Sequence, residues 1–478
     1  MLPSVLTVQK KNLNYDSDDM SNSDAGRAEE YNRESNTFVE DPDFDIVSVP
    51  DWPAEKISFG QVSGVSLDPL GNVYVFHRAQ RSWGMNSFWS NNTFTETYLG
   101  PIMNPTVAVI HPITGMVLKL WGHNTFYLPH GITVDHESNV WITDVAMHQV
   151  FKFAPILNTA SADNTTPLLE LGRRFIPGSS RSMFCKPSAV AVLPSGEFFV
   201  SDGYCNARIM KFAADGSWLT EWGRTTLTHG SIPPPPYDFL IPHDLTLMND
   251  RNLVCVSDRE NGRIECFQTT NGSFAFDINS PRELGSHLYS ASYTSAAGGL
   301  FFIINADPFH LDPIHGSVVR ANYDLPKLIK TFQPLGKPFE SPHDVIVSPN
   351  GGEVYVAELN QLRVCKFRVQ FKNSKTSEAE NHSFQDNKSS GTMLMAIFIT
   401  AVVICFGAAL LAAALIYLKA RTRGCTGHCK NPKWLIGRST VEGFKIGNFL
   451  GQQHQGFVKL NNFEESDEDD ANVSPTFA

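Results

Sequence analysis

Three histidines each follow a proline in similar surroundings, and their side chains could bind a metal ion together. They lie in the segments LPH, IPH and SPH, at His130, His243 and His343. Any one of them alone is better explained as an ordinary packing residue. Three imidazoles that meet with a fourth position left open form a catalytic zinc site, although iron and copper also accept imidazole. The histidines are far apart in sequence, so the fold must bring them together.

Two arginines and a tyrosine could complete the chemistry of such a site. Arg78, Tyr204 and Arg259 lie in polar segments that follow apolar, strand-like runs. Each alone is usually a surface residue. Together, the arginines could hold a carboxylate through paired hydrogen bonds. A cation or Zn²⁺ near a phenol lowers its pKa, so Tyr204 could act as a base.

The middle of the chain repeats one unit, which predicts how these residues are positioned. The unit has a Pro-x pair, an alternating apolar strand, a turn, an aromatic-rich strand and an acidic residue. Four clear copies, one weaker copy and one degenerate copy are LPHGITVDHESNVWITD, KPSAVAVLPSGEFFVSD, IPHDLTLMNDRNLVCVSD, SPHDVIVSPNGGEVYVAE, VSGVSLDPLGNVYVFH and LYSASYTSAAGGLFFIINAD. Repetition about every 50 residues is typical of a β-propeller. A β-sandwich is the alternative, but sandwiches do not repeat one pattern. The sequence therefore predicts an all-β, six-bladed propeller over residues 46–370.

The repeat places all six candidate residues on one face of the propeller. The first two strands of a unit run antiparallel, so the start of the first and the end of the second lie together. The position after the proline holds histidine in three units and Ser188 in another, and Ser63 holds it in the weaker copy, where valine replaces the proline. The symmetry of a propeller directs these positions at its axis. Arg78, Tyr204 and Arg259 follow second strands and are expected at the same mouth.

Composition narrows the partners and the compartment. The net charge of −11 argues against nucleic acid, because binding phosphates needs a basic face. Residues 393–418 are uncharged and exceed the roughly 20 residues that span a bilayer. Basic residues follow at once, which predicts that the C-terminal side is cytoplasmic. A buried soluble helix is the alternative, but the run exceeds the length of core helices. No signal peptide is visible, so either the span directs insertion or the chain begins further upstream.

The remaining segments follow from this arrangement. We expect a disordered acidic segment at 1–45, a lumenal stalk at 371–392, a transmembrane helix at 393–418 and a cytoplasmic tail at 419–478. The tail carries an acidic cluster around Ser466, a candidate kinase site or simply a solvated run. Disulfides persist in a lumenal compartment. Glycosylation sequons lie at Asn91, Asn164, Asn271, Asn381 and Asn387.

Longer motifs resemble one enzyme family. YLPHG, FCKPSAVAV, VSDGYCNARI, VSDRENGRIECF, SPHDVIV and WGMNSF closely resemble the catalytic core of peptidyl-α-hydroxyglycine α-amidating lyase, over about residues 50–370. That core is the lyase half of peptidylglycine α-amidating monooxygenase. The resemblance implies zinc on the three histidines, with Tyr204, Arg78 and Arg259 at the reacting centre. It implies disulfides Cys185–Cys205 and Cys255–Cys266. It also implies a structural calcium bound by Asp344 and the backbone carbonyls of Val65 and Ile132.

The family's reaction breaks the N–Cα bond of a peptidyl-α-hydroxyglycine to give a peptide amide and glyoxylate, the second step in amidation of neuropeptides and hormones. A separate copper-dependent hydroxylase is expected to supply the substrate. The expected location is the secretory pathway, in the Golgi or secretory granules, as a single-pass type I membrane protein, with cell-surface or shed forms as further options. This chain has Ser341 where vertebrate members carry Met, which concerns the packing of the pocket. Two alternatives remain: a non-catalytic NHL-type propeller that binds protein or glycan, and a calcium-dependent propeller hydrolase, whose sites favour oxygen ligands.

Overall fold

The computed structural model describes residues 41–158, 165–226, 234–307, 312–321 and 326–372. These residues form six four-stranded antiparallel sheets, the blades of a propeller. The innermost strand of each blade contacts the innermost strands of the two neighbouring blades, so the blades close into a ring around a central channel. The prediction of an all-β, six-bladed propeller is confirmed.

Each blade is a meander whose first strand lies at the axis. Blades 1 to 3 contain β2 (Val62–Leu67), β3 (Val73–His77), β4 (Val107–Ile110) and β5 (Val117–Trp121); β6 (Pro129–Val134), β7 (Val140–Asp144), β8 (Gln149–Phe153) and β9 (Leu169–Gly172); and β10 (Ala189–Val192), β11 (Phe198–Asp202), β12 (Arg208–Phe212) and β13 (Trp218–Trp222). Blades 4 to 6 contain β16 (Pro242–Met248), β17 (Leu253–Asp258), β18 (Arg263–Gln268) and β19 (Phe274–Asn279); β20 (Leu288–Thr294), β21 (Leu300–Asn305), β22 (Gly316–Arg320) and β23 (Lys327–Phe332); and β24 (Pro342–Val347), β25 (Glu353–Glu358), β26 (Arg363–Phe371) and β1 (Phe44–Ser48).

The N-terminal strand β1 completes the last blade. It pairs antiparallel with β26, from Phe44 opposite Phe371 to Ser48 opposite Phe367. The predicted boundary at residue 46 was therefore two residues late, and β26 runs one residue past 370. Strand β1 is ordered because it covers the outer edge of blade 6. Without it, β26 would expose a row of unpaired backbone groups. Phe44 is 1% exposed, so this strand also adds to the core.

The acidic residue that ends each clear repeat is structural. Asp202, Asp258 and Glu358 are each buried and bound by an arginine at the start of the next strand. The Nε–carboxylate distances are 3.0 Å from Arg208 to Asp202, 2.9 Å from Arg263 to Asp258 and 2.6 Å from Arg363 to Glu358. In blade 2, Asp144 instead accepts backbone N–H groups on both sides of its strand. These contacts fix the loops that follow the second strands, where the candidate residues lie.

The apolar core lies between neighbouring blades. One buried cluster joins blades 1 and 2 around Trp121, Phe126 and Phe151. Another joins blades 5 and 6 around Phe302 and Phe367. One phenylalanine in the third strand of each clear repeat belongs to such clusters and is at most 2% exposed, at Phe153, Phe212, Phe267 and Phe367. The phenylalanine repeated in the sequence pattern is thus the residue that packs one blade against the next.

A few short elements connect the blades. Strands β14 (Arg224–Thr225) and β15 (Asp238–Phe239) form a parallel pair, and helix α1 spans Pro281–Leu284. The chain divides into the units Met1–Thr376 and Ser377–Ala478, and every described residue belongs to the first. In that described part, no helix is long and apolar enough to cross a membrane. The predicted span 393–418, the tail 419–478 and the stalk from 373 onwards lie outside the described residues, as do residues 1–40.

Candidate metal centre

An irregularity in the inner strand directs one side chain of nearly every blade at the axis. In five blades the pairing of the first two strands shifts just after the residue that opens the strand, and the skipped residues include Ser63, His130, His243, Tyr289 and His343. A β-bulge of this kind turns a side chain out of the sheet's alternation. Ser188 holds the corresponding position in blade 3. The sixth, degenerate repeat therefore contributes Tyr289, which sequence reasoning did not single out.

The three histidines meet on the axis. His130 and His243 are 2% exposed and His343 is 3% exposed. One ring nitrogen from each lies within 4.8 Å of the other two. Their ring centroids are 4.7 to 4.9 Å apart. The fold thus places residues from blades 2, 4 and 6 at one point, as the repeat geometry predicts.

Each histidine is oriented by the neighbouring blade. The Nδ1–H of His130 donates to the carbonyl oxygen of Ser188 at 2.8 Å. The Nδ1–H of His243 donates to Tyr289 at 2.7 Å, and that of His343 donates to Ser63 at 2.7 Å. A carbonyl can only accept, so the proton sits on Nδ1 and Nε2 carries the lone pair. Backbone carbonyls in this role orient metal-binding histidines and fix their tautomer.

The histidines are held in their neutral form. Burial, with the positive charges of Arg78 and Arg259 acting in the same direction, lowers the pKa of His343 to about 3. Burial also holds the pKa values of His130 and His243 well below the ordinary range. Neutral imidazoles with converging Nε2 lone pairs are the state that binds a transition metal. The donor set therefore fits a metal ion.

Tyr204 lies directly over the histidines. Its hydroxyl is 2.9 Å from Nε2 of His130 and 3.1 Å from Nε2 of His243. The disulfide between Cys185 and Cys205 holds the next residue of its loop. Gly203 makes the approach possible, because a Cβ there would lie 2.0 Å from the carbonyl oxygen of Pro242. The backbone on both sides of Tyr204 is therefore fixed against the neighbouring blade.

The phenol of Tyr204 is held in its protonated form by its buried surroundings. Burial raises the pKa of Tyr204 to about 12, although Arg259 and Arg78 both lower it. The expectation that nearby cations lower this pKa is right about their direction, but burial outweighs the two arginines. A further positive charge at the histidines would be needed to make the phenolate.

The two arginines flank the site but are held differently. Arg78 is 2% exposed, and it donates from Nε to the carbonyl oxygen of Pro129 at 2.9 Å and from Nη1 to Gln61 at 2.7 Å. Its hydrogen-bond partners in the structure are neutral, and burial lowers its pKa to about 10. Arg259 donates from Nε to Glu260 at 2.7 Å, and its Nη1 lies 3.4 Å from the Tyr204 hydroxyl. Both cations therefore face the Tyr204 and histidine cluster.

Two residues that sequence reasoning missed hold this arrangement. The side-chain oxygen of Gln61 accepts from Arg78 and also from the backbone N–H of Trp83, at 2.8 Å. The centroid of the Trp83 ring lies 4.8 Å from the centroid of the Tyr204 ring. The guanidinium carbon of Arg78 lies 5.3 Å from the same Trp83 centroid. Trp83 stands in the WGMNSF motif, so the resemblance contained the signal, whereas Gln61 offered none.

A second polar cluster lies on the axis beneath the histidines. The side chain of Ser290 is 2.7 Å from Oδ2 of Asp244 and 2.8 Å from Oδ1 of Asp344. The backbone N–H of Val65 donates to Asp344 at 2.8 Å. Burial, together with the charge of Asp244, raises the pKa of Asp344 well above its ordinary value, and burial raises that of Asp244 to about 6. Asp344 was predicted as a ligand and Asp244 was missed, although both directly follow a histidine of the triad.

Two cavities border these clusters. A cavity of about 510 Å³ opens towards the face opposite Tyr204, and its lining includes Val65, Ile132, Asp244 and Asp344. The predicted calcium residues thus share one compartment. A smaller cavity of about 240 Å³ is lined by residues that include Tyr289 and Ser341. The Ser341 hydroxyl accepts from the side-chain amide of Asn360 at 2.7 Å.

The other predicted modification sites divide in two groups. The structure joins Cys185 to Cys205 and Cys255 to Cys266, the second pair directly opposite each other on β17 and β18. Asn91 and Asn271 are exposed in turns, and each carboxamide oxygen accepts from the backbone N–H two residues later. Asn164, Asn381 and Asn387 lie outside the described residues.

The fold and the site define a six-bladed propeller of NHL-repeat type with a candidate metal centre on its axis. The NHL repeat family model matches residues 184–212 and 239–267, in blades 3 and 4. Peptidyl-alpha-hydroxyglycine alpha-amidating lyase 1 of Drosophila melanogaster is 40% identical over 444 residues, which cover 87% of this chain and 79% of that protein. Lyase 2 of the same organism is 41% identical over 322 residues, 66% of this chain and 72% of that protein.

The chain therefore belongs to the peptidyl-α-hydroxyglycine α-amidating lyase family, and it is an enzyme of the lyase class. A third relative, peptidyl-glycine alpha-amidating monooxygenase B of Xenopus laevis, is 44% identical over 320 residues. That match covers 66% of this chain but 35% of the monooxygenase, so the two share about a third of the larger protein's length.

Proposed function

We propose that this protein cleaves the N–Cα bond of a peptidyl-α-hydroxyglycine and releases a peptide amide and glyoxylate. The observation that carries the proposal is the meeting of three neutral histidines, one phenol and two buried arginines on the propeller axis. In the reaction the hydroxyl oxygen becomes the aldehyde oxygen of glyoxylate. The electron pair of the N–Cα bond passes to nitrogen, and one proton moves from the hydroxyl to that nitrogen.

The histidines are proposed to hold zinc. His130, His243 and His343 would provide three nitrogen ligands, the number that catalytic zinc sites take from the protein, and the Tyr204 hydroxyl lies beside them. Iron or copper would fit the same ligands. When bound, the metal supplies positive charge that stabilises an alkoxide and lowers the pKa values of groups beside it.

The arginines are proposed to bind the substrate carboxylate. The guanidinium groups of Arg78 and Arg259 lie on the Tyr204 side of the histidines, and Arg78 has no charged hydrogen-bond partner among the described residues. A substrate carboxylate would give Arg78 a charged hydrogen-bond partner. Binding it in this buried place orients the adjacent α-hydroxyl towards Tyr204 and excludes water.

Tyr204 is proposed to move the proton. Its hydroxyl lies at the centre of the site, within hydrogen-bonding distance of two histidine Nε2 atoms and near Arg259. As a phenolate it would accept the proton of the substrate hydroxyl, and it could then return that proton to the leaving nitrogen. The Trp83 ring, tilted by 46° against the Tyr204 ring, restrains the phenol against rotation out of this position.

The second polar cluster, formed by Asp244, Ser290 and Asp344 and called the lower cluster from here on, is proposed to bind calcium. Asp244 and Asp344 are both half-buried, and one Ser290 hydroxyl proton cannot satisfy both carboxylates. Two neighbouring carboxylates with oxygen donors around them suit a hard divalent cation. Asp344 is proposed as a ligand together with the carbonyl oxygens of Val65 and Ile132, and the structure suggests Asp244 as a further ligand. Such an ion would tie blades 1, 2, 4 and 6 together at the axis.

The cellular setting is proposed from the same family relation. Two disulfides and two exposed sequons suit a propeller that faces an oxidising lumen. The segment 393–418 is proposed to anchor it as a single-pass type I protein of the secretory pathway. A copper-dependent peptidylglycine hydroxylase is proposed to supply the hydroxylated substrate, because the Xenopus relative is named for the monooxygenase.

The proposal is tested by incubating the purified full-length chain with an α-hydroxyglycine-extended peptide and measuring glyoxylate and the peptide amide in equal amounts. Chelation of transition metals should abolish the reaction, and added zinc should restore it. A Tyr204→Phe variant should bind one equivalent of metal yet lose roughly 10²- to 10⁴-fold in kcat, the range typical of a lost acid–base group. No glyoxylate from the metal-loaded wild type would disprove the function, whereas full activity of Tyr204→Phe would remove only the proposed role of the tyrosine.

A further inference from the structure

Arg259 is held on its outer side by a carboxylate that the reaction itself does not require. Its Nε donates to Oε1 of Glu260 at 2.7 Å. The backbones of both residues are fixed, since their N–H groups donate to the carbonyls of Ile241 and Leu240, each at 3.0 Å. The guanidinium group therefore bridges between Glu260 on one side and the Tyr204 hydroxyl on the other.

The second oxygen of Glu260 faces a histidine. Nε2 of His287 lies 3.4 Å from Oε2 of Glu260, and the His287 side chain is 16% exposed. The other ring nitrogen lies 3.1 Å from the hydroxyl of Ser286, which donates to Asp312. The charged groups that surround His287 are thus Glu260, Asp307 and Asp312, which favour the imidazolium, and Arg259, which opposes it.

The two arginines differ in this respect. Arg78 is anchored by the side-chain carbonyl of Gln61 and a backbone carbonyl, which keep the same charge at every pH. Arg259 is anchored by an ionisable pair. With His287 neutral, Arg259 and Glu260 cancel, and with His287 protonated the group of three carries one net positive charge. The field at the substrate carboxylate therefore depends on a residue outside the site.

We propose that Glu260 and His287 are positioning residues which set the charge that Arg259 presents to the substrate carboxylate, so that substrate affinity increases when His287 takes up a proton. The inference rests on the proposed function, because it assumes that Arg259 binds a carboxylate. Glu260 acts by holding the guanidinium in place, and His287 acts by drawing negative charge of Glu260 away from it.

The direction of the pH dependence follows from the contacts. The hydrogen bond with Glu260, and then its negative charge, raise the pKa of His287 above the ordinary 6.5. His287 is therefore protonated at and below that pH and loses its charge as the pH rises further. KM for the substrate should be low on the acidic side and rise as His287 deprotonates. The expected rise is roughly three- to tenfold, for one unit charge acting over several ångströms through a partly solvated surface.

The test uses two variants that fix the charge in opposite states. His287→Lys keeps a cation beside Glu260 at every pH in the range, and His287→Gln keeps a neutral group. KM is measured from pH 5.5 to 9. Over the pH range in which His287 titrates in the wild type, KM should stay low in the lysine variant and stay high in the glutamine variant. His136→Gln, the same substitution at an exposed histidine on the rim of the opposite cavity, should keep the wild-type profile.

Two further measurements separate the possible failures. Glycolate carries an α-hydroxyl beside a carboxylate and has no N–Cα bond to break, so its dissociation constant is expected to follow the same pH dependence. The His287 ring resonances should titrate at a lower pH in Glu260→Gln than in the wild type. If glycolate binding and KM change with pH identically in the wild type and both His287 variants, the inference is wrong even though the enzyme is active. Absence of glyoxylate production by the wild type would instead refute the proposed function.

Discussion

The imidazole of His343 donates its Nδ1–H to the carbonyl oxygen of Ser63, 2.7 Å away, across the junction between the last blade and the first. The two residues are 280 positions apart in the chain, and each holds the same position in its own blade. His130 and His243 make the equivalent bond to the next blade. The orientation of the three imidazoles therefore depends on closure of the ring.

Removing one histidine should remove the transition metal. In His343→Ala, we expect the bound zinc to fall from about one equivalent to nearly none and the activity to fall by at least 10³-fold, because two imidazoles cannot complete the site. Elemental analysis and the glyoxylate assay measure the two effects. His136→Ala changes an exposed histidine outside the triad and should retain metal and activity. Full zinc content in His343→Ala would contradict the assignment of the triad.

Calcium should stabilise the protein through the lower cluster. A ligand that binds only the folded state at one hundred times its Kd adds about 2.7 kcal/mol, so calcium added to the chelated protein should raise Tm by several degrees. Asp344→Asn should abolish this increase. Asp250→Asn removes an exposed carboxylate on the rim of the same cavity and should leave it intact. An equal increase in wild type and Asp344→Asn would place calcium elsewhere.

The two arginines should respond oppositely when their charge is removed. Arg78 is a buried cation bound by neutral groups. In the substrate-free protein, Arg78→Met should therefore raise Tm and increase the free energy of unfolding by roughly 1 to 3 kcal/mol. Arg259→Met removes one cation from Glu260, which then keeps only His287 as a partner, and should lower Tm. Both substitutions should reduce kcat/KM by roughly 10²-fold or more through loss of the carboxylate contact. Calorimetry and steady-state kinetics test this pair, and a lowered Tm in Arg78→Met would refute the argument.

The two disulfides should differ in their effect on catalysis. The Cys185–Cys205 bond holds the loop of Tyr204, whereas Cys255–Cys266 joins two strands within blade 4. We expect Cys185→Ala with Cys205→Ala to lower kcat about tenfold or more, because a displacement of about 1 Å costs much of the rate. Cys255→Ala with Cys266→Ala should lower Tm while kcat in the folded enzyme stays near normal. Equal kcat values in the two double variants would show that the first bond does not position the tyrosine.

A buried glutamate in blade 4 should weaken the fold at alkaline pH. Burial raises the pKa of Glu265 from 4.5 to about 8, against the opposing charge of Arg263. The folded state therefore favours the protonated form, and stability is lost as the pH rises from about 4.5 through about 8. Glu265→Gln removes this loss, and its advantage should grow over that window to roughly 2 kcal/mol. Arg263 keeps its partner Asp258 in the variant.

Urea unfolding of both proteins at pH 5 and pH 9 measures the difference. The matched change Glu197→Gln, at a carboxylate in blade 3 whose side chain is 37% exposed, should give no pH-dependent advantage. A Glu265→Gln advantage that is the same at both pH values would show that Glu265 does not titrate in this window.

Repetition is what made the fold predictable. The six units align without reference to any structure, and the alignment places the three histidines at equivalent positions. The same alignment could have found Tyr289, at the histidine position of the degenerate unit. It could also have found Asp244, which follows His243 as Asp344 follows His343. Strand β1 was missed because Phe44 and Asp45 stand alone after an acidic segment, and their pairing partner lies at the other end of the propeller.

The sequence by itself determined the blades, the axial histidines and the face on which Arg78, Tyr204 and Arg259 lie, because a repeated pattern repeats the same local geometry. The tertiary structure decided how these groups are held. The carbonyl partners of the histidines, the contacts of Gln61 and Trp83, and the pairing of Glu260 with His287 all join separate blades or loops. Such contacts depend on distances between distant segments, and burial between the blades then sets the pKa values on which the chemistry depends.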